Sequence, residues 1–476
     1  MADIMLVAYG TVTLLLGSTG LYYGLLAVER VVHDGDRSTS VGELHEHPPI
    51  TVQIPVYNER NVVGRILDAV GELTWPVDRL QVQVIDDSTD NTSAMVADKL
   101  ATLRERGIAV EHIRRSEREG YKAGAVECGL KTATGEFIAL FDADFVPPPD
   151  FLQETVVHFT DPEVGCVQTR WTHLNEGLSW FTRAQALALD AHFAVEQWVR
   201  AQAGSLLSFN ATSCVWRRET INAVGGWSSE TVAEDLDLTA AALLNGWEFV
   251  YTEGYAVPCE IPPSLSGFVR QQTRWARGST QNVRKHLWDL LTSERLGAWA
   301  TFHSALHVLH YVFYPLLLAW LALHLLVTVV ATAPRWLLAV SFLTVTPGPI
   351  VFLALGQHLI DRPNRLRRLF VGVAGLSLAG VGIAWRMSRA VISGFVEMGG
   401  TFARTPKFGV TGPRRSWDDR AYVDTLTSTR AEMLLGLSCA AGAVATVALG
   451  DYRMAPSLVF FSLSFWTVVA YSWWQR

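Results

Sequence analysis

Phe137-Ile138-Ala139-Leu140-Phe141-Asp142-Ala143-Asp144 reads as a buried strand that ends in two carboxylates. An unbroken apolar run of that length suits a strand covered on both faces. The two Asp follow where the chain must turn, one residue apart, so both can face one small hard cation. Mg²⁺ favours such a site, with one or two carboxylates completed by substrate phosphate oxygens. Similar short runs rich in Val, Ile and Phe lie at 50–54, 80–85, 108–113, 136–141 and 164–169. Helical patterns at 60–73, 92–106, 122–132 and 151–158 alternate with them. That alternation predicts an α/β domain, a parallel sheet with helices on both faces. Ligands of such sheets bind beyond the carboxyl ends of the strands. No Gly-x-Gly-x-x-Gly follows any strand, which disfavours a dinucleotide fold.

The residues with chemical potential fall at those strand ends. Pro55 and Tyr57-Asn58-Glu59 follow the first run, and Tyr57 can pack on a nucleobase. Asp86 and Asp87 follow the second and can accept from a base N–H or from ribose hydroxyls, although capping of the next helix is a competing role. Lys122, in Tyr121-Lys122-Ala123-Gly124-Ala125, can reach a diphosphate. Ala233-Glu234-Asp235 precedes the helical stretch 236–244, and a carboxylate at a helix N-terminus is often only a cap. In its functional reading Asp235 is a general base that takes the proton of an attacking acceptor hydroxyl. One base without a carboxylate nucleophile gives inversion in a single displacement. Gln271-x-x-Arg274-Trp275 comes next: Gln271 and Arg274 suit a diphosphate, and Trp275 can stack on an acceptor sugar.

At 476 residues the chain is too long for one small domain, and its mean hydropathy of +0.20 averages two unlike parts. Runs without Asp, Glu, Lys or Arg cover 5–28, 296–334, 336–360, 369–385, 433–450 and 454–474. A helical crossing needs about 20 apolar residues. The residues leading into the first run carry Asp3 and no basic residue, and no cleavage pattern precedes Glu29-Arg30, so the run reads as an anchor. Arg362, Arg365, Arg367 and Arg368 precede the short run 369–385; Arg386, Arg389, Arg404, Lys407, Arg414 and Arg415 follow it. The positive-inside rule puts both flanks in the cytosol. That run is therefore read as interfacial or re-entrant, giving five crossings with the N-terminus outside; a sixth true crossing is the rival. His303, His307 and His310 recur at roughly helical spacing and suggest a hydrated conduit wall, with helix–helix hydrogen bonding as the alternative. Five Cys without a Cys-x-x-Cys pair fit a reduced compartment. The net charge of −7 gives no reason to expect nucleic acid as a partner.

The ordered set Tyr57-Asn58-Glu59, Asp86-Asp87, Lys122-Ala123-Gly124-Ala125, Asp142-Ala143-Asp144, Glu234-Asp235 and Gln271-x-x-Arg274-Trp275 resembles the membrane-embedded family 2 glycosyltransferases. These are the processive synthases of cellulose, chitin, hyaluronan and mannan. His192-Phe193-x-x-Glu196-Gln197, Phe209-Asn210-Ala211-Thr212-Ser213-Cys214-Val215-Trp216-Arg217 and Gly225-Gly226-Trp227 are similar to the cellulose synthase-like mannan and glucomannan synthase branch. That branch usually has Gly where Ala211 and Cys214 stand. Phe402-Ala403-Arg404-Thr405-Pro406-Lys407 resembles the family's gating loop, Phe-x-Val-Thr-x-Lys, with Arg404 in place of Val.

The resemblance implies a GT-A domain joined to an α-helical transmembrane bundle with amphipathic interface helices. Its layout is an anchor helix at 1–30, the GT-A domain at 48–262, interface helices at 263–300, and a channel region at 301–476 with the gating-like loop near 400–412. It implies Mg²⁺ or Mn²⁺ at Asp142 and Asp144 and a nucleotide sugar, UDP-glucose or GDP-mannose, as donor. Pro55, Tyr57, Glu59, Asp86, Asp87, Lys122, Asp142, Gln271 and Arg274 would face that donor, and Asn210 and Trp275 the acceptor. Asp235, next to Glu234, would be the base, and Phe402, Arg404, Thr405 and Lys407 the gate. The product is expected to be a β-linked, β-1,4 glucan or mannan, made at the plasma (inner) membrane with the catalytic domain in the cytosol, and passed outward among membrane lipids. Glycosylation of a membrane lipid, or a non-catalytic conduit subunit, are the alternatives. No regulatory domain is expected after Trp473-Trp474-Gln475-Arg476, and second-messenger control would then need a partner subunit.

Overall fold

The computed structural model describes residues 2–33, 42, 44, 46–330, 335–411, 428–450 and 452–475. Arg414 and Arg415 of the charge map, residue 412 of the expected loop, 331–334 of one apolar run, and the terminal residues 1 and 476 lie outside the described residues.

Strands β1 (Ile50–Val56), β2 (Leu80–Asp86), β3 (Ala109–Arg114), β4 (Phe137–Leu140), β5 (Val164–His173), β6 (Cys214–Arg217) and β7 (Glu248–Cys259) form one sheet. Their order is β3-β2-β1-β4-β6-β5-β7. The five expected strands are present, but the sheet is mixed, not parallel throughout. β1 runs parallel to β2 and β4, whereas β6 is antiparallel to both β4 and β5. The sequence reading lacked β6, only four residues long, and β7, a half-buried edge strand with no clean alternation.

The apolar run of β4 shows why a strand forms there. Phe137 and Ala139 enter the core on one face, and Ile138 and Leu140 the core on the other, as the two-residue period of a strand requires. Burying a side chain of that size contributes about 1.5–3 kcal/mol, so a charge at Ile138 would break the second core. The helices Val63–Gly71 and Thr92–Glu105 cover the first face through Ile66, Leu67, Val70, Val96, Leu100 and Leu103. The helices Tyr121–Leu130 and Glu234–Leu244 cover the second through Ala123, Val126, Leu130, Leu238 and Ala242.

Among the described residues five helices are long and apolar enough to cross a membrane: Asp3–Val32, Ala298–Thr328, Trp336–Leu359, Arg430–Ala448 and Ala455–Trp474. The run read as non-crossing lies in Arg365–Gly382, which meets Ala384–Val396 at a bend of 54°. Between the sheet domain and this bundle lies the helix Leu265–Thr292, within the stretch 263–300 where amphipathic interface helices were expected. The Ser264 hydroxyl caps it by accepting the Gly267 N–H at 3.1 Å. Its early apolar side chains Leu265, Phe268, Val269 and Ala276 pack with Phe181, Ile383, Met387 and Val391.

Ion pairs fasten the two parts. Arg362 reaches Asp190 at 3.2 Å, Arg368 reaches Glu176 at 3.1 Å, and Arg30 reaches Glu253 at 3.1 Å. Two bundle histidines are held by side-chain contacts. His303 contacts the Tyr22 hydroxyl at 2.9 Å and Glu29 at 3.2 Å, and His307 contacts Arg200. Both rings are buried in side-chain contacts, so they serve helix–helix bonding here and do not line a wet conduit wall.

Candidate active site

Beyond the carboxyl ends of β1, β2 and β4 lies a cleft holding about 1150 Å³ of empty space out to its mouth. Pro55, Tyr57 and Glu59 line it from the end of β1, Asp87 from that of β2, Asp142 and Asp144 from that of β4, and Lys122 from the helix Tyr121–Leu130 that precedes β4. Asn210, Glu234, Asp235, Gln271, Arg274 and Trp275 face it from across the sheet, and Phe402, Arg404, Thr405 and Lys407 from the bundle side. Gln271, Arg274 and Trp275 share one face of their helix because residues three and four apart are neighbours.

Asp86 is placed elsewhere. It shares the strand face of Leu80, Val82 and Val84, is fully buried, and its carboxylate is occupied by His112 Nε2 (3.0 Å), Arg114 Nη1 (2.9 Å) and the Ser88 N–H (2.8 Å). Burial opposes its charge, but these donors hold its pKa well below the usual carboxylate range. Asp87 alone of the pair reaches the cleft, fixed by Arg115 Nε at 2.8 Å. The same end of the cleft holds Arg118, not anticipated from sequence. Its guanidinium stacks 3.5 Å over the Tyr57 ring and 5.0 Å from that of Tyr121.

At the centre, Lys122 Nζ donates to Asp142 Oδ1 at 2.5 Å and to the Ala211 carbonyl at 3.1 Å. Burial acts against its charge, yet Asp142 and Glu234 together keep its pKa above the usual lysine range. The carbonyl is aimed by an uncommon backbone: Ala211 has φ 45° and Ser213 φ 56°. These are left-handed conformations in which non-glycine residues are strained. Glu234 and Asp235 open the helix Glu234–Leu244. Asp235 Oδ1 accepts the Leu236 N–H at 2.8 Å, which fixes the carboxylate. Burial raises the pKa of Asp235, while Lys122 and the Leu236 N–H oppose the rise. Burial and the neighbouring Asp235 push Glu234 up to about 7.

The segment 397–411 enters the cleft from above. Lys407 Nζ donates to Asp144 Oδ2 at 2.7 Å and to the Glu260 carbonyl at 2.9 Å. Arg404 Nη1 lies 2.9 Å from Glu59 Oε2, and the Arg274 guanidinium sits 4.4 Å from the Phe402 ring centre. Arg404 thus fills with an ion pair the place of an apolar residue. Burial still pushes the Glu59 carboxyl up to about 8 against the pull of Arg404. Glu260, another residue the sequence reading lacked, accepts the Phe408 N–H at 2.8 Å and the Val410 N–H at 3.1 Å. Its only sequence signal was an acidic residue at the end of β7, ahead of Ile261-Pro262-Pro263.

Asp142 and Asp144 suit a divalent cation by donor type, both being hard carboxylate oxygens already facing positive charge, from Lys122 and Lys407. Among the described residues no group of three or more His, Cys, Asp or Glu is assembled for a metal. Further ligands would therefore come from the substrate, as Mg²⁺ and Mn²⁺ sites on diphosphates use them.

Two family profiles match this chain: "Glycosyl transferase family 2" over residues 51–221 and "Glycosyl transferase family group 2" over 137–352. This chain carries a family 2 glycosyltransferase domain. The domain is 41% identical over 263 residues to "Probable glucomannan 4-beta-mannosyltransferase 7" of Oryza sativa subsp. japonica, covering 54% of this chain and 45% of that protein. It is 35% identical over 305 residues to "Glucomannan 4-beta-mannosyltransferase 9" of Arabidopsis thaliana, covering 61% and 56%. These likenesses lie in the cellulose synthase-like branch, and the chain spans about half the length of the curated relatives it matches. In fold it is similar to the mannosyltransferase PcManGT from Pyrobaculum calidifontis, solved in complex with GDP-Man and Mn²⁺. The TM-score is 0.57 at 20% identity, over 78% of this chain and 98% of that one.

Proposed function

We propose that this protein is an inverting, membrane-embedded β-glycosyltransferase that extends a β-1,4 mannan or glucomannan from GDP-mannose and passes it across the membrane. The observation that carries the reading is that Asp142, Asp144, Asp235, Arg274 and Trp275 line one cleft. The donor class follows from the glucomannan 4-beta-mannosyltransferases it resembles and from the GDP-Man complex that shares its fold. UDP-glucose is the competing donor.

In this reading Tyr57, Arg118 and Asp87 hold the nucleoside, and Lys122, Gln271 and Arg274 hold the diphosphate by charge-assisted bonds. Asp142 and Asp144 would hold a divalent ion, which when bound would supply charge neutralisation to the diphosphate leaving group. Asp235 takes the proton of the acceptor hydroxyl, and its raised pKa brings it nearer the working pH of a base. Trp275 and Asn210 hold the acceptor sugar against the donor, and the loop with Phe402, Arg404, Thr405 and Lys407 excludes water. The division at 1–30, 48–262, 263–300 and 301–476 is retained, with the sheet domain in the cytosol. The pairing of Arg362 and Arg368 with Asp190 and Glu176 supports that orientation, since it puts basic loop and sheet domain on one side.

Membranes holding the protein are given radiolabelled GDP-mannose or UDP-glucose with Mn²⁺, and the product is tested for mannanase and cellulase digestion and for organic-phase extraction. Mannanase-sensitive, non-extractable label from GDP-mannose is the expected result, abolished by Asp235→Asn with nucleotide binding intact. Label confined to the organic phase would sink the polymerase reading.

A further inference from the structure

The helix Leu265–Thr292 continues past Trp275, and its next two turns touch both the segment before Asp235 and the root of the loop at 397–411. Gln281 is fully buried between them. Its Oε1 accepts the Val232 N–H at 2.9 Å, and its Nε2 donates to the Glu397 carbonyl at 2.9 Å and the Gly399 carbonyl at 2.7 Å. One side faces an N–H and the other two carbonyls, so only this orientation of the amide satisfies the neighbours.

The contacts around it run the same way. Gly278 packs so closely that a Cβ there would stand 2.4 Å from that of Ala233. Asn282 Nδ2 donates to the Ala233 carbonyl at 3.4 Å, and the Gly399 N–H donates to the Glu230 carbonyl at 2.7 Å. Residues 230–233 lead directly into Asp235, and 397–399 lead into Phe402, Arg404 and Lys407.

We propose that Gln281 is a positioning residue that ties the segment carrying Asp235 to the root of the loop carrying Phe402, Arg404 and Lys407. Seating of the loop then fixes Val232 and through it the base. An unseated loop leaves Asp235 off its working geometry. The inference rests on the roles proposed above for Asp235 and for the loop, but the tie itself is a matter of hydrogen bonds and is tested apart from them.

Two variants separate its sides. Gln281→Glu keeps an acceptor for Val232 but turns a carboxylate oxygen toward two carbonyls, whereas Gln281→Met has no polar atom for either. Backbone hydrogen exchange of the full chain in detergent is followed without ligand and with GDP and Mn²⁺. Without ligand, Gln281→Glu should speed exchange in 397–410 only, and Gln281→Met in both 397–410 and 229–236. The rest of the sheet should exchange as in the parent. In transfer assays kcat should fall by roughly 100-fold, the effect of a displaced catalytic group, with donor KM changed less than about threefold. Parent-like exchange at both segments in Gln281→Met, or losses spread evenly over the sheet, would overturn the tie. Absence of transfer in the parent protein would remove the functional reading, while the ligand-free exchange result would still decide the tie.

Discussion

Replacing Glu260 by Ala is the sharpest probe of the loop over the cleft. Its carboxylate is 1% exposed and receives two backbone N–H groups, from Phe408 at 2.8 Å and Val410 at 3.1 Å. Hydrogen bonds to a charged group contribute about 1.5–3 kcal/mol each. Against that sum stands the cost of keeping a carboxylate buried, visible in the upward push that burial gives the Glu260 pKa. A net loss of about 3 kcal/mol lowers the ratio of seated to unseated loop by roughly two decades. Lys407 keeps its bond to the Glu260 carbonyl, which is main chain, and its pairing with Asp144. The Arg65 guanidinium, 3.9 Å from this carboxylate, also loses a partner, but both lost hydrogen bonds belong to the loop. Limited proteolysis of the full chain reads it: cleavage within 397–411 should rise by roughly 100-fold where it tracks the open population, with cleavage elsewhere unchanged. Glu260→Gln, able to accept only one of the two N–H groups, should fall between. Parent-like cleavage of Glu260→Ala would refute the anchoring role of this carboxylate.

Trp275→Ala should impair chain elongation more than donor hydrolysis, and equal loss of both would count against acceptor stacking. Ala211→Gly should raise stability by roughly 0.5 kcal/mol, because relief of a left-handed alanine (about 1–2 kcal/mol) exceeds the added freedom of the unfolded chain; a lowered unfolding temperature would contradict the strain. Glu234 is a carboxyl whose folded pKa is raised from 4.5 to about 7. The folded state holds its proton more tightly, so it costs nothing below 4.5 and destabilises increasingly as pH climbs through 7. Glu234→Gln should flatten that part of the pH–stability curve, and an unchanged slope would reject the shift.

Much of this architecture is legible because strand ends in an α/β sheet carry the chemistry. The runs before Tyr57, Asp87 and Asp142 are apolar enough to be read directly. The choice between Asp86 and Asp87 is not, because adjacent residues at a strand end point to opposite faces and either could reach the ligand. His112 and Arg114, on the neighbouring strand β3, hold Asp86 back. β6 was hidden by its length, and its antiparallel insertion between β4 and β5 makes the sheet mixed. Glu260 and Gln281 were illegible for a different reason. Each acts on main-chain groups more than a hundred residues away in the loop, and main-chain partners leave no mark in a sequence. Arg404 was visible as a departure from the gating pattern, but its partner Glu59 was not.

The helix Leu265–Thr292 has a bearing on how this catalyst can be handled and rebuilt. Arg274 and Trp275 stand on it, while Leu265, Phe268, Val269 and Ala276 of the same helix are covered by the bundle residues Ile383, Met387 and Val391. A fragment ending after β7 would keep the floor of the cleft and lose one wall; a longer one would keep that wall but bare its apolar face to water. Domain exchange between relatives should therefore cut within neither part. The helix, the segment 384–411 and the sheet domain make one transplantable unit, and grafting the sheet domain alone would leave behind Gln271 and Arg274, proposed above for the donor, and Trp275, proposed for the acceptor.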